Sequence, residues 1–361
     1  MARSRVPPAW LVRPLIATRN GIARVHQRLA PPEVTIFERS LGIVDTKALA
    51  VAADLGIADA LGDGPRSAGE LASSLGVDTD AVDRLLRFLV GRGVFRRGRD
   101  GRYANNRTST LLREDDVGSL RAWARFFGAP WHVAIWNRLD HSVTTGRAAA
   151  GEALGHDFWA YLTTVDHGAG QVFDDAMAAV SRLQQAVIAT KYPWPSGSRV
   201  CDVGGGTGTL LAAILDANPS CSGVLLDLPV VVTKAGPVLE RAGVAGRVEL
   251  VAGDFFDALP SRCDRYVLEA VIHDWDDDSC ARILTRCREA LPPGGRVLVL
   301  EQTVPGHDGD HVVKAVDLEM LVDAAGRERT RAEFEALFAR AGLRVRSVIP
   351  IALLSVYELE P

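Results

Sequence analysis

No run of apolar residues in this 361-residue chain approaches the roughly eighteen needed to cross a bilayer, which excludes an integral membrane protein. Cysteine is scarce: there are five, at 201, 221, 263, 280 and 287, and the first half of the chain has none. No pair is spaced CxxC and no Cys/His cluster has zinc spacing. A secreted disulfide scaffold is thereby excluded, reduced thiols in a cytoplasm are the plain expectation, and no bound metal is expected. An excess of one charge is also missing. Lys+Arg (41) nearly balances Asp+Glu (45), a net charge of −4, so the electrostatic footprint of a nucleic-acid binder is absent. Internal repeats and low-complexity tracts are absent too.

Before Glu33 there is no acidic residue, whereas Arg3, Arg5, Arg13, Arg19, Arg24 and Arg28 are all basic. An Arg-rich, acid-poor start can be a transit peptide. Pro7, Pro8, Pro14, Pro31 and Pro32 break any continuous amphipathic helix there, so a solvated arm over 1–33 is expected. Apolar residues at 47% and charged residues at 24% describe a globular chain with ample core. Its length suggests about two domains.

Residues 34–130 read as mostly helical. Ala48, Val51, Ala52, Leu55 and Ile57 follow helical spacing. Ser67-Ala-Gly-Glu70 is a capping-box pattern. Asp78 or Thr79 opens a second helix carrying Val82, Leu85, Leu86 and Leu89 on one face. Two short runs, 94–97 and 102–104, then flank Asp100-Gly101, a hairpin-turn dipeptide. Helix, helix and basic hairpin form a winged-helix pattern, used either for DNA or for dimerisation. Asp78, Asp80 and Asp83 on the would-be recognition helix oppose the phosphate contacts that dominate DNA affinity. Residues 120–180 are helical and rich in aromatics: Trp123, Phe126, Phe127, Trp131, Trp136, Phe158, Trp159, Tyr161 and Phe173. They serve either as core or as a wall for a flat apolar ligand.

From 198 onward strands alternate with helices. Strands are expected at 199–203, 223–226, 248–252, 266–271 and 295–301, with helices starting at 209 and spanning 230–242 and 278–291. This pattern implies an α/β, Rossmann-like, doubly wound and mainly parallel sheet. Asp202-Val-Gly-Gly-Gly-Thr-Gly208 ends the first strand, and its glycines let a ligand approach the backbone. The dinucleotide fingerprint fails, because Thr209 stands where its last small residue belongs, and no Gly-Lys-Ser/Thr makes a P-loop. Asp227 follows the second strand and can accept from both hydroxyls of a ribose. Asp254 follows the third and can accept from an adenine amino group, with Phe255 packed on the ring. Glycine turn, ribose binder and adenine binder in this order describe an adenosine held without a phosphate cradle.

These motifs carry a resemblance. With 268–276 (LEAVIHDWD), 298–305 (LVLEQTVP) and 327–334 (RERTRAEF), residues 35–358 resemble the S-adenosylmethionine-dependent class I O-methyltransferases, namely the caffeate-type plant enzymes and the bacterial enzymes of aromatic polyketide tailoring. The resemblance implies a catalytic domain over 121–361 and a winged-helix-like dimerisation domain over 34–120, forming a homodimer. It implies S-adenosylmethionine as cofactor and a small aromatic substrate bearing a hydroxyl. It makes His273 the general base, supported by Glu301 and Glu328. Cofactor contacts fall on Asp202, Gly204, Gly206, Asp227, Asp254, Phe255 and Glu269, and substrate contacts on Phe173, Met177 and Met320. Read locally, Glu301 is equally a solvated strand end, Glu328 an i,i+3 partner of Arg331, and the substrate-lining residues plain core. Glu269 departs from the family, which often has Lys, Arg or Ser there. A carboxylate repels the methionine carboxylate, so it either points away or meets the sulfonium or amino end. Two other functions remain open: a family member that keeps the cofactor for hydroxylation or decarboxylation, and a winged-helix regulator that senses a small molecule.

Overall fold

The computed structural model describes residues 29–116, 118–307, 309, 311–351 and 354–361, together with 18, 21, 22 and 25; of Arg182 and Leu183 it describes the backbone only. The arginines of the N-terminal arm lie outside the described residues. The chain divides into two compact units, one of residues 21–137 and 160–180, the other built on 138–159 and 181–361.

In the first unit, α1 (Pro32–Ser40) and α2 (Gly42–Asp54) precede the helix pair α3 (Ala68–Leu75) and α4 (Thr79–Gly91). Ser67 and Glu70 form the expected capping box, and the Asp78 side chain caps α4 by accepting from the Ala81 amide. Together these caps satisfy amides that a helix start otherwise leaves orphaned. The antiparallel hairpin of β1 (Phe95–Arg97) and β2 (Tyr103–Asn105) completes the winged-helix pattern. Its core is Ala52, Ile57, Leu71, Leu86, Leu89, Phe95 and Tyr103, all fully buried. Val51 falls on the apolar period yet is 43% exposed, because the buried stripe of α2 runs through its alanines. The unit also holds α5 (Arg121–Gly128) and the first part of α6 (His167–Lys191).

The second unit is built on the strands β3 (Arg199–Val203), β4 (Ser222–Asp227), β5 (Val248–Ala252), β6 (Arg265–Glu269), β7 (Arg296–Val304), β8 (Arg329–Thr330), β9 (Arg344–Ile351) and β10 (Leu354–Glu360). The main sheet runs β5-β4-β3-β6-β7-β10-β9, with β8 pairing β7. β3 to β7 are parallel, and β9 and β10 are antiparallel additions at one side. Alternate residues feed two cores, one through Val200, Leu225, Val267 and Leu298, the other through Cys201, Val224, Tyr266 and Val297. That is the pattern of strands covered on both faces. α7 (Thr209–Ala217), α8 (Asp277–Ala290), α9 (Val312–Asp323) and α10 (Arg331–Arg340) complete it.

Two expected elements are corrected. The helix over 230–242 is two short helices, Pro229–Val232 and Gly236–Arg241, the second with Pro237 in its first turn, where a missing N–H is harmless. The fourth strand stops at Glu269 rather than 271, because Ala270 takes a φ of 52° and turns the chain out of the sheet. The hairpin β9–β10 was not foreseen.

Candidate active site

The strand ends of β3, β4, β5 and β6 converge on one edge of the parallel sheet, the ligand edge of an open α/β fold. After β3 the chain turns at Gly204 (φ 69°). A side-chain carbon there would meet Val271 Cγ2 at 3.2 Å and Phe255 Cε1 at 3.4 Å, whereas one at Gly206 would meet nothing within 4 Å. The Gly206 amide donates to Asp227 Oδ2 at 2.8 Å, which ties the turn to the end of β4. Asp254 is exposed, and its Oδ1 accepts from the Phe256 amide at 2.9 Å. Phe255 and Phe256 pack edgewise on Trp275 at 5.8 and 4.9 Å between ring centroids.

Two carboxyl groups sit beneath this edge. Burial, with Glu269 and Asp227 nearby, pushes Asp202 well above the usual carboxylate range. Burial likewise lifts Glu269 to about 7, partly offset by the hydrogen bond from Gln185 Nε2 at 2.9 Å. Asp202 Oδ2 and Glu269 Oε1 are buried without a hydrogen-bond partner among the described residues. Orphaned buried oxygens call for a donor. A ligand with an adenosine end and a cationic end fits the open glycine turn, the half-buried Asp227, the exposed Asp254 and these two oxygens.

His273 lies just beyond β6, in a turn of 3₁₀ helix spanning Ile272–Asp274, and its side chain is 14% exposed. Nδ1 stands 3.0 Å from Glu328 Oε1 and 3.4 Å from Glu301 Oε2, and Nε2 stands 3.5 Å from Asp274 Oδ1. Burial lowers the basicity of the imidazole, but Glu301, Asp274 and Glu328 together outweigh it and raise His273 to about 10. Burial lifts Glu301 to about 7 and Asp274 to about 6, while the adjacent imidazole pulls each down. Both local alternatives for the glutamates fail. Glu301 is fully buried rather than solvated, and Arg331 pairs with Glu335 while Glu328 meets the imidazole.

Glu301 does more than face the ring. Its Oε1 accepts from the amides of Val271 (3.0 Å) and Ile272 (2.9 Å), so one carboxylate fixes the backbone that carries the histidine. Glu328 is held in turn by Asp317 of α9, whose Oδ1 accepts from the Glu328 amide at 2.8 Å. The next contact was missed from sequence. The Arg327 amide donates to the His273 carbonyl at 2.7 Å, and a side chain on Gly326 would lie 2.1 Å from that same oxygen. Gly326 is therefore required by close approach to the histidine turn. The Met320 carbonyl accepts from the Gly326 amide at 3.0 Å, which puts the end of α9 beside that turn. Phe173 and Met177 lie one turn apart on α6, and Phe173 meets Phe126 edgewise at 5.8 Å. His273, Glu301 and Glu328 also offer ligand atoms within 4.8 Å of one another, a spacing open to a metal ion.

Comparison with known proteins identifies the family. An O-methyltransferase dimerisation domain matches residues 37–115 and an O-methyltransferase domain residues 136–344. The 2,7-dihydroxy-5-methyl-1-naphthoate 7-O-methyltransferase of Streptomyces carzinostaticus is 41% identical over 86% of this chain and 93% of its own. The mitomycin biosynthesis 6-O-methyltransferase of Streptomyces lavendulae is 39% identical over 89% and 92%. A solved methyltransferase of calicheamicin biosynthesis, in its S-adenosylhomocysteine-bound form, superposes with a TM-score of 0.82 at 36% identity, covering 91% of this chain and 98% of its own. With both domains matched in order and relatives aligned over nearly their whole length, the chain belongs to the S-adenosylmethionine-dependent O-methyltransferases.

Proposed function

We propose that this enzyme methylates a phenolic hydroxyl of a small aromatic or polyketide-like metabolite, with His273 as the base. The observation that carries the reading is the imidazole held between buried carboxylates at the end of β6. When bound, S-adenosylmethionine supplies a methyl group on a positively charged sulfur, already activated for displacement and favouring an ionised acceptor oxygen nearby. The protein's task is to hold the acceptor oxygen in line and to take its proton. Holding both reactants makes the step effectively unimolecular.

Asp227 at the end of β4 receives the ribose hydroxyls, and Asp254 with Phe255 receives the adenine. Gly204 and Gly206 let the cofactor approach, and Glu269 with Asp202 meets its cationic end, which accounts for their orphaned oxygens. Glu328 holds Nδ1–H, which leaves Nε2 as the accepting nitrogen. In water an imidazole near 6.5 is a poor base for a phenol near 10, a mismatch of roughly 5 kcal/mol. The carboxylates that raise His273 toward the phenol's range narrow that mismatch. Met320, near the end of α9 beside the histidine turn, is assigned to the acceptor side, and Phe173 and Met177 are assigned to it by the family resemblance alone. A base so placed favours O-methylation over the non-methylating alternatives.

Residues 34–120 serve assembly and 121–361 catalysis. Ile36 and Phe37 are about two-thirds exposed, and Ile43, Val44 and Val51 border an apolar groove of about 600 Å³. Such a patch suits a second copy of the chain, hence a homodimer. No nucleic-acid role is assigned: Arg84, Arg87 and Arg97 of the winged region pair with Asp80 and Asp83. No resident metal is assigned either, and the EDTA comparison below tests that. Five free, buried cysteines suit a reducing cytoplasm, and among the described residues no helix is long and apolar enough to cross a membrane.

Incubation with methyl-labelled cofactor and a panel of phenols and dihydroxynaphthoates, with and without EDTA, tests the reading. Labelled aryl methyl ether, undiminished by EDTA, is expected. Failure of every phenol, or labelling only of amines, would overturn it.

A further inference from the structure

Arg329 has been given no role so far. Its side chain is only 1% exposed, and it sits on β8, where its backbone pairs with Thr303 of β7. From there the guanidinium reaches the turn that carries His273. Nη1 donates to the Ile272 carbonyl at 2.9 Å and Nη2 to the Trp275 carbonyl at 2.9 Å. The two carbonyls flank His273 and Asp274. Asp277 Oδ1 accepts from Nε at 3.0 Å and from Nη2 at 2.7 Å, which fixes the plane of the fork.

We propose that Arg329 is a positioning residue for the methyl transfer: its guanidinium, anchored on the sheet, clamps the carbonyls on both sides of His273–Asp274 and so sets the imidazole against its carboxylates. The proposal rests on His273 being the base, and it adds the device that keeps it there. Glu301 holds the amides entering the turn, the Arg327 amide holds the His273 carbonyl, and Arg329 holds the carbonyls of Ile272 and Trp275. Only a planar fork spans both carbonyls; a lysine ammonium is a compact point charge on a flexible stem. The groups facing the imidazole are Glu301 from β7, Glu328 from the segment before β8 and its own neighbour Asp274.

The test compares wild type with Arg329→Lys, which keeps the charge and loses the fork. The readout is the His273 imidazole signal in protein labelled with ¹³C-histidine and saturated with S-adenosylhomocysteine, assigned by its loss in His273→Asn. The wild-type signal is expected to be single, with a midpoint well above 8. In Arg329→Lys it broadens or doubles and its midpoint falls by at least one pH unit, with S-adenosylhomocysteine affinity within threefold of wild type. An unchanged midpoint, or a cofactor affinity lost in parallel, would overturn the proposal. If Arg329→Lys does not fold, Asp277→Asn, which loosens the fork, is expected to move the midpoint in the same direction by a smaller amount; no movement would overturn it equally. With 2,7-dihydroxynaphthalene as acceptor, Arg329→Lys is expected to lower kcat at least tenfold without raising KM for the cofactor. A wild type that methylates no phenol defeats the assignment of His273 as base, while the imidazole titration still decides the clamp.

Discussion

Glu301 has two separable tasks, and two substitutions pull them apart. Its Oε1 accepts from the Val271 and Ile272 amides, and its Oε2 lies 3.4 Å from His273 Nδ1. Glu301→Leu removes both acceptors from a fully buried position. Each amide left unsatisfied costs about 1–3 kcal/mol, so a loss of about 2–6 kcal/mol is expected. Glu301→Gln keeps a carbonyl for the two amides, so its stability stays within about 2 kcal/mol of wild type, but it removes one of the carboxylates that raise His273. The sign follows directly. A group raised from 6.5 to about 10 must shed its proton before it can act, so activity climbs as pH rises toward that value. Weakening the raising charge moves this acid limb to lower pH in Glu301→Gln. Urea unfolding measures the first effect and the pH dependence of kcat/KM the second. Equal urea midpoints for wild type and Glu301→Leu would refute the backbone-anchoring argument, and an unmoved acid limb in Glu301→Gln would refute the electrostatic one.

Other expected outcomes test the neighbouring residues. Asp227→Ala removes the ribose acceptor and should weaken cofactor binding about 10–100-fold by calorimetry, charged hydrogen bonds being worth about 1.5–3 kcal/mol; unchanged affinity would exclude Asp227 as a contact. Gly326→Ala puts a methyl 2.1 Å from the His273 carbonyl, a backbone atom that cannot swing away, and should cost at least about tenfold in kcat with the cofactor still bound. Full activity in that variant would mean that the loop yields freely. Glu269 is lifted to about 7 by burial and must ionise to pair with a cation, so cofactor affinity should rise about tenfold between pH 6 and 8, with proton release. Glu269→Gln should flatten that dependence, and an equally steep variant would assign it to another group.

The parallel sheet was legible because its strands are short apolar runs separated by helices, and the register of those runs put Asp202, Asp227 and Asp254 at strand ends. The histidine and its two glutamates were legible through the resemblance, since 28 and 55 residues separate them from His273 and only folding brings them together. Single-sequence patterns hid three features. Gly326 reads as an ordinary loop glycine, and only its approach to the His273 carbonyl gives it meaning. Glu301 reads as a strand end, and its grip on two amides depends on where Ala270 turns the chain. The alternation in Leu354-Ser-Val-Tyr-Glu-Leu-Glu360 is a strand signal, but its partners are β9 and the distant β7, a non-local pairing that periodicity does not encode. The break within 229–241 follows from Gly236-Pro237, a punctuation visible in the sequence.

The central claim is that the His273 imidazole takes the acceptor's proton, and single-turnover methyl transfer to acceptors of different acidity measures it most directly. At pH 9, His273→Ala should lose about 10²-fold or more on a phenol of pKa near 10, which needs a base. On an acceptor of pKa near 7, already ionised at that pH, the same variant should stay within about tenfold of wild type. An equal loss on both acceptors, or no loss on either, would contradict the account.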